Sequence, residues 1–262
     1  MQTGGLLDLF PLWTLFPLTV AVAMLSDEIG YRSARYRHLH SGEEHGAPVG
    51  AMVGATLGLL AFMLAFTFGL AGTRFQDRRQ VLLSEANAIG TTYLRAAMLP
   101  EPMRTETRNL LREYVDVRLE AVQPGKLEQS LSRSEELHER LWSQAVAATE
   151  KDRSPITGLF IQSLNEVIDL HAKRVMAGLG SRIPAAIWIV LYFLAILSMG
   201  ATGYHEGLTS KRCSVAVISM VLAFSAVLFL IADLDRPGQG WFQVDQQSMI
   251  DLRKSMSDRS QR

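Results

Sequence analysis

Four long stretches without Asp, Glu, Lys or Arg constrain the fold of this chain more than any other sequence feature. They cover residues 9–26, 46–73, 183–205 and 213–232, and each is rich in aliphatic residues, Phe, Ala or Met. About 20 apolar residues rising about 1.5 Å each match a hydrocarbon core roughly 30 Å thick. The four stretches therefore predict four transmembrane helices, which excludes an ordinary soluble protein.

The first stretch is interrupted by Pro11 and Pro17. Helices in lipid tolerate proline when neighbouring groups satisfy the freed carbonyls. A cleaved signal peptide would begin with basic residues, yet no Lys or Arg precedes Arg32. We therefore expect a retained anchor helix here.

The overall balance of charges excludes another class of partner. Lys+Arg and Asp+Glu both number 26, giving a formal net charge of +0, so nothing in this balance indicates nucleic-acid binding. Cys213 is the one cysteine, which excludes both a disulfide framework and a cysteine metal site within one chain. We expect it to be a packing residue.

Most of the charge lies between the second and third apolar stretches. There, apolar residues recur every three or four positions, which predicts amphipathic helices over residues 76–98, 103–122 and 126–149. A fourth helix is predicted to begin after Ser154, a favourable N-cap residue, with Pro155 in its first turn. Because charges recur around these helices, they are expected to lie outside the bilayer.

The predicted class is therefore an all-α integral membrane protein. We divide it into a first helix pair with its loop, a helical extramembrane domain, a second helix pair and a polar tail. The second and third membrane helices are expected to run on into the domain, and the tail to lie along the domain or on the membrane surface. The proposed boundaries are 1–72, 73–182, 183–233 and 234–262.

Lys and Arg near the helix ends number five on the side of the first connecting loop and seven on the side of the domain. This count favours a cytoplasmic domain with both termini in the cytoplasm.

Small residues form one stripe along the second membrane helix, and such stripes let helices approach closely in lipid. The stripe consists of Gly50, Gly54, Gly58, Ala61, Ala65 and Gly69, continuing to Gly72. The other side carries Leu59, Phe62 and Phe66. These bulky side chains either face lipid or another helix, or form an apolar constriction with those of other subunits.

The segment after this helix resembles a known family. The apolar helix ends in Phe and Gly and leads into an Arg-aromatic-x-Asp-Arg cluster, Arg74 to Arg78, which opens a long amphipathic helix. Together with residues 231–237, this pattern is similar to the bestrophin-like family of bacterial and plastid membrane proteins, and more distantly to the bestrophins. The paired tryptophans typical of the bestrophin cluster are replaced here by Gln76 and by Arg78 with Arg79.

The resemblance implies an oligomeric ion channel in a bacterial inner (plasma) membrane, pentameric and anion-selective, with chloride as its ion. The second helix would line the pore, with the neck at Phe62 and Phe66 and Leu59 beside them. Arg74, Arg78 and Arg79 would attract anions at its inner mouth. An alternative is a membrane-anchored oligomeric scaffold or sensor, without ion conduction, whose helical domain binds a partner.

Acidic residues after the fourth stretch raise a further possibility. The resemblance places Asp233 and Asp235 at the position where animal bestrophins carry a longer series of acidic residues that binds calcium. Because Ca²⁺ takes six to eight oxygen ligands, two carboxylates predict at most a weak cation site. The other interpretation is a solvated helix end with an Asp–Arg236 pair.

We find no sequence pattern for catalysis or for a cofactor. The chain has no phosphate-binding loop, HExxH or GxSxG motif, and we expect neither an enzyme nor a bound metal. His171 falls in register with apolar residues and is expected to be a satisfied core histidine. A loop rich in metal-ligating residue types matches no zinc spacing and is expected to be solvated. It contains His38, His40, Glu43, Glu44 and His45.

Overall fold

The structure, a computed structural model, describes residues 11–41, 46–209, 214–238 and 240–259, and the side chains of residues 38–41 and 46–47 lie outside this description. Eight α-helices and one π turn form the described part, and it contains no strand. Four of the helical regions are long and apolar enough to cross a membrane. The predicted all-α membrane class is confirmed. The helices are α1 (Leu12–Ser41), α2 (Gly46–Ala96), α3 (Met103–Glu120), α4 (Leu127–Lys151), α5 (Pro155–Val175), α6 (Ala185–Thr209), α7 (Ser214–Asp235) and α8 (Gln247–Asp258).

Helix α2 is unbroken over 51 residues, which confirms that the second membrane helix continues beyond its charge-free stretch. The same expectation for the third membrane helix is wrong. Helix α5 ends at Val175, a π turn covers Met176–Gly180, and residues 181–184 are not helical before α6 begins. Pro184 accounts for this break, because proline has no amide hydrogen and disfavours helical geometry in the residue before it.

The hydroxyl of Ser154 caps α5 as predicted, accepting a hydrogen bond from the Thr157 amide, and Pro155 occupies the first turn. The predicted helices of the polar region correspond to the second part of α2 and to α3, α4 and α5.

The chain forms two compact units. Unit 1 contains Met1–Phe75 and Arg182–Gln243, and unit 2 contains Gln76–Ser181 and Val244–Arg262. The core of unit 1 is built from the buried aliphatic residues of α2, α6 and α7. Leu60, Leu191 and Ile231, none of them exposed, lie at its centre.

Helices α1 and α6 of unit 1 pack with their backbones in contact. A Cβ added at Gly203 would lie 1.9 Å from the Asp27 carbonyl oxygen, and one at Gly30 would lie 2.0 Å from that of Gly200. Hydroxyl groups join the same helices, since Ser26 Oγ donates to the Ile196 carbonyl at 2.6 Å. Small residues that allow such close approach are the usual way for helices to associate in lipid.

Unit 2 is a helical bundle with its own apolar core. Fully buried side chains come from every helix of the unit, including Ile89, Leu111, Leu137 and Phe160. Helix α8 adds Met249 and Met256, which are 0% and 2% exposed. Helix α8 of the predicted tail therefore packs along the helical domain, whereas residues 234–243 of that tail belong to unit 1.

The contact between α1 and α6 leads to a prediction. Gly203→Ala forces a side chain onto the backbone of α1, and overpacking of this kind should cost about 3 kcal/mol or more of unfolding free energy. Gly200→Ala is the matched control, because its Cβ would lie 3.2 Å from the Ser26 hydroxyl oxygen and 3.7 Å from the Ser26 carbonyl oxygen, with no backbone clash. Thermal unfolding in detergent should show a much larger loss for Gly203→Ala. Equal losses would contradict the tight contact.

Candidate functional site

The membrane part of α2 exposes a row of bulky apolar side chains. Leu59, Phe62 and Phe66 are 49%, 65% and 62% exposed. The opposite face of the helix is buried in unit 1, with Leu60 and Leu64 at 0% and 2%. The predicted neck residues thus point away from the core of their own unit.

The predicted packing stripe lies beside this row and not on the other side of the helix as expected, since the far side carries the buried Leu60 and Leu64. Cβ atoms added at Gly54, Gly58 or Gly69 would meet no atom within 4 Å, so this part of the stripe has open space in a single chain. Ala61 and Ala65 are also exposed. Gly50 differs, because a Cβ there would lie 3.0 Å from the His205 imidazole.

The three arginines predicted at the pore mouth have different surroundings. Arg74 Nη1 lies 3.8 Å from an Asp235 carboxylate oxygen, so its charge is partly balanced within unit 1. Arg78 is 7% exposed, whereas Arg79 is exposed. Of the three guanidinium groups, that of Arg79 is the one most open to solvent ions.

Asp233 and Asp235 are buried, 1% and 5% exposed. The interpretation as a solvated helix end is wrong, because both carboxylates serve backbone amides. The Trp241 amide donates to both oxygens of Asp233, at 3.0 and 3.3 Å, and the Phe242 amide donates at 3.2 Å. Asp235 accepts from the Ile183 amide at 2.9 Å. Backbone amides thus bind both Asp233 oxygens and Asp235 Oδ1, and no group of three or more acidic, His or Cys ligands occurs in the described parts.

A buried polar cluster, which we call the Glu85 cluster, lies in the core of unit 2. It consists of Glu85, Tyr114, Arg118, His138, His171 and Arg174. The fully buried Glu85 carboxylate accepts from the Tyr114 hydroxyl at 2.8 Å and from Arg174 Nη1 at 2.6 Å. Arg118 Nε lies 3.0 Å from the same carboxylate. Side chains of α3 and α5 thus contact a single negative charge, the Glu85 carboxylate of α2.

Two histidines extend the Glu85 cluster. His171 Nδ1 lies 3.1 Å from the Tyr114 hydroxyl oxygen, which accepts because its hydrogen points to Glu85. The ring of His138 packs edge-on against that of His171, with centroids 4.8 Å apart. His171 is 7% exposed, so the expectation of a satisfied core histidine is confirmed.

Burial and charge set the titration of the cluster. Burial first, and the positive charge of Arg118 second, lower the pKa of His138 to about 4. Burial and the Glu85 charge raise the pKa of Tyr114 well above its usual value. Both groups are therefore neutral at pH 7.

The Glu85 cluster was not among the candidate sites predicted from the sequence. The available signal was the position of Glu85 one turn from Leu82 and Ile89 on the apolar face of α2. The loop with His38, His40 and His45 and the residue Cys213 lie outside the described residues or side chains.

Comparison with known families identifies this arrangement of helices. A family model, the bestrophin-like domain, matches residues 18–249. The chain belongs to the bestrophin-like family. No protein of curated function matches this bestrophin-like chain by sequence.

Solved structures share the bestrophin-like fold. A crystal structure of a variant bacterial bestrophin homologue from Klebsiella pneumoniae has a TM-score of 0.68 at 15% identity, covering 94% of this chain and 98% of that one. A second variant of that homologue gives 0.67 at 14% identity, covering 96% and 99%. A crystal structure described only as a membrane protein variant gives 0.68 at 12% identity, covering 94% and 98%. The predicted resemblance is confirmed.

One prediction concerns the turn that follows α7 in this bestrophin-like chain. Gly240 has φ +102°, and a Cβ there would lie 1.6 Å from Asp233 Oδ1. Gly240→Ala should therefore displace the Asp233 carboxylate and cost about 3 kcal/mol or more of unfolding free energy. Gly238, at φ +74° with open space around it, is the matched control, and its Ala variant should lose only about 1 kcal/mol. Similar unfolding temperatures for the two variants would contradict this account.

A second prediction concerns pH. In the unfolded chain His138 binds a proton near pH 6.5, but in the folded bestrophin-like chain only near pH 4. The unfolded state therefore binds more protons between these values, and stability is lost as the pH falls from about 6.5 to about 4, by up to about 3 kcal/mol. The stability advantage of the wild type over His138→Gln should shrink across this window. The advantage over Leu137→Ala, which removes a buried non-titrating neighbour, should stay constant; a constant advantage over His138→Gln would contradict the prediction.

Proposed function

We propose that this protein is the subunit of an oligomeric ion channel whose pore is lined by the membrane part of α2. Leu59, Phe62 and Phe66 form the apolar neck. Membership of the bestrophin-like family and the shared fold support a channel-type function. Chloride is the proposed ion, and five subunits are proposed from the resemblance to bestrophins.

The exposed row on α2 carries this proposal. Two phenylalanines more than 60% exposed on a helix face turned away from their own unit need a covering environment. The neighbouring small-residue stripe, open at Gly54 and Gly58, suits close approach of another helix. If copies pack through the stripe around an axis, the phenylalanines lie beside that axis and form an apolar constriction.

Exposed positive charge supports the proposed anion preference. Arg79 follows the membrane part of α2 by one and a half turns and is exposed, so it attracts anions without competition from a buried carboxylate. Arg74 is less available to anions, because its Nη1 lies 3.8 Å from Asp235. In the proposed orientation, unit 2 and both termini lie in the cytoplasm of a bacterial cell, with the membrane helices in the inner membrane.

The test is conductance of the purified protein in planar bilayers under a KCl gradient. We expect a current that reverses near the chloride potential. Phe62→Ala and Phe66→Ala should change the conductance several-fold, because each alters the narrowest apolar ring. Phe193→Ala is the control, since this 61% exposed phenylalanine lies on α6 rather than on the proposed pore helix, and it should leave the conductance unchanged.

Each contrary result has a defined meaning. Reversal near the potassium potential would retain the pore and overturn the anion preference. Silence from folded, oligomeric protein across several pH values would overturn the channel proposal in favour of a scaffold. An equal effect of all three alanine variants would remove Phe62 and Phe66 from the neck.

A further inference from the structure

The Glu85 cluster contains more positive than negative charge. Glu85 carries one negative charge, and both Arg118 and Arg174 lie within 3.0 Å of its carboxylate oxygens. His138 and His171 are both neutral at pH 7, because burial first, and the positive charge of Arg118 second, lower the pKa of each to about 4. The cluster therefore sums to one excess positive charge in the core of unit 2. Burying an uncompensated charge is costly, so this excess calls for a counter-charge.

Arg118 is the poorly bonded member of the pair of arginines. Arg174 donates one hydrogen bond to Glu85 and another to Gln246 Oε1, at 2.6 and 2.9 Å. Arg118 is 3% exposed, and its Nε, although near Glu85, has no hydrogen-bond partner of acceptable geometry among the residues that the structure describes. A buried guanidinium in this condition is a donor available to a further acceptor.

His138 supplies a second donor in the same cluster. The His138 ring lies 5.0 Å from the ring of Tyr114, and Tyr114 precedes Arg118 by one turn of α3. The buried Nε2 of His138 has no hydrogen-bond partner in the described part of the chain. A neutral imidazole can present an N–H at this atom. The Arg118 charge is near enough to this ring to contribute, after burial, to the lowered pKa of His138.

We propose that Arg118 and His138 bind a small monovalent inorganic anion of the chloride class inside unit 2. One such anion brings the charge of the cluster to zero and accepts hydrogen bonds from both groups without requiring a fixed lone-pair direction. The site is separate from the proposed pore residues, and the proposal does not depend on ion conduction.

Bromide provides a direct test, because it replaces chloride and scatters anomalously. Crystals of the full-length protein grown in bromide should show an anomalous peak roughly 3–3.5 Å from both the Arg118 guanidinium and His138 Nε2. Well-ordered crystals with bromide peaks elsewhere and none at Arg118 would overturn the proposal.

A solution measurement tests the charge argument. Raising chloride from about 10 mM to about 300 mM, with gluconate keeping the ionic strength constant, should raise the unfolding temperature by roughly 2–4 °C. Arg118→Gln and Arg174→Gln each remove the excess charge and should abolish the shift. Arg133→Gln, at a surface ion pair of the same unit, should retain it.

The variants separate this site from others. A shift of equal size in wild type, Arg118→Gln and Arg174→Gln would place the anion elsewhere and overturn the proposal, as would no shift in the wild type. If Arg118→Gln does not fold, Arg174→Gln and the bromide peak decide. Because neither measurement uses conductance, a silent bilayer would leave both results interpretable.

Discussion

Hydrocarbon offers no hydrogen-bond partner to a peptide group, and the architecture of unit 1 depends on this constraint. The described membrane stretches are almost entirely helical, and several of their hydroxyl groups donate to backbone carbonyls. Thr67 donates to the carbonyl one turn earlier in its own helix, and Ser26 donates to a carbonyl of the neighbouring helix. Full charges appear at the ends of these stretches, where Arg74 and Asp235 lie 3.8 Å apart. The charge-free stretches of the sequence are a second consequence of the apolar environment, because hydrocarbon does not solvate charged side chains.

Features that depend on a local property of the chain could be predicted from sequence. The four membrane helices follow from runs without charge, and the α5 cap follows from Ser154 and Pro155. The break before α6 was missed although Pro184 signals it, because the apolar run continues through that proline. The burial of Asp233 could not be predicted. Its partners are amides that a turn at Gly240 brings back towards α7. Gly240 has a left-handed φ, and the sequence does not show which glycines adopt that geometry.

Glycine illustrates the same limit within the membrane. Gly203 and Gly58 both lie in apolar helices with small residues at helical spacing. Gly203 touches the backbone of α1, whereas Gly58 faces open space within the chain. The spacing predicts that a helix can approach closely but does not identify which helix, because the partner is set by tertiary packing or by a second copy. The sequence therefore showed which face of α2 forms the candidate site, but it did not show which surface covers that face.

In unit 2 the question is which packing arrangement the helices adopt, because many arrangements could bury their apolar faces. The Glu85 carboxylate restricts the choice. Moving α2 by one residue rotates its side chains by about 100°, which would leave this carboxylate without Tyr114 and Arg174. An unpaired buried charge costs several kcal/mol, far more than the repacking of aliphatic side chains of similar volume. We therefore infer that Glu85 helps to select one register of α2 against α3 and α5, which is a reason for a carboxylate to lie in a core that leucine could fill.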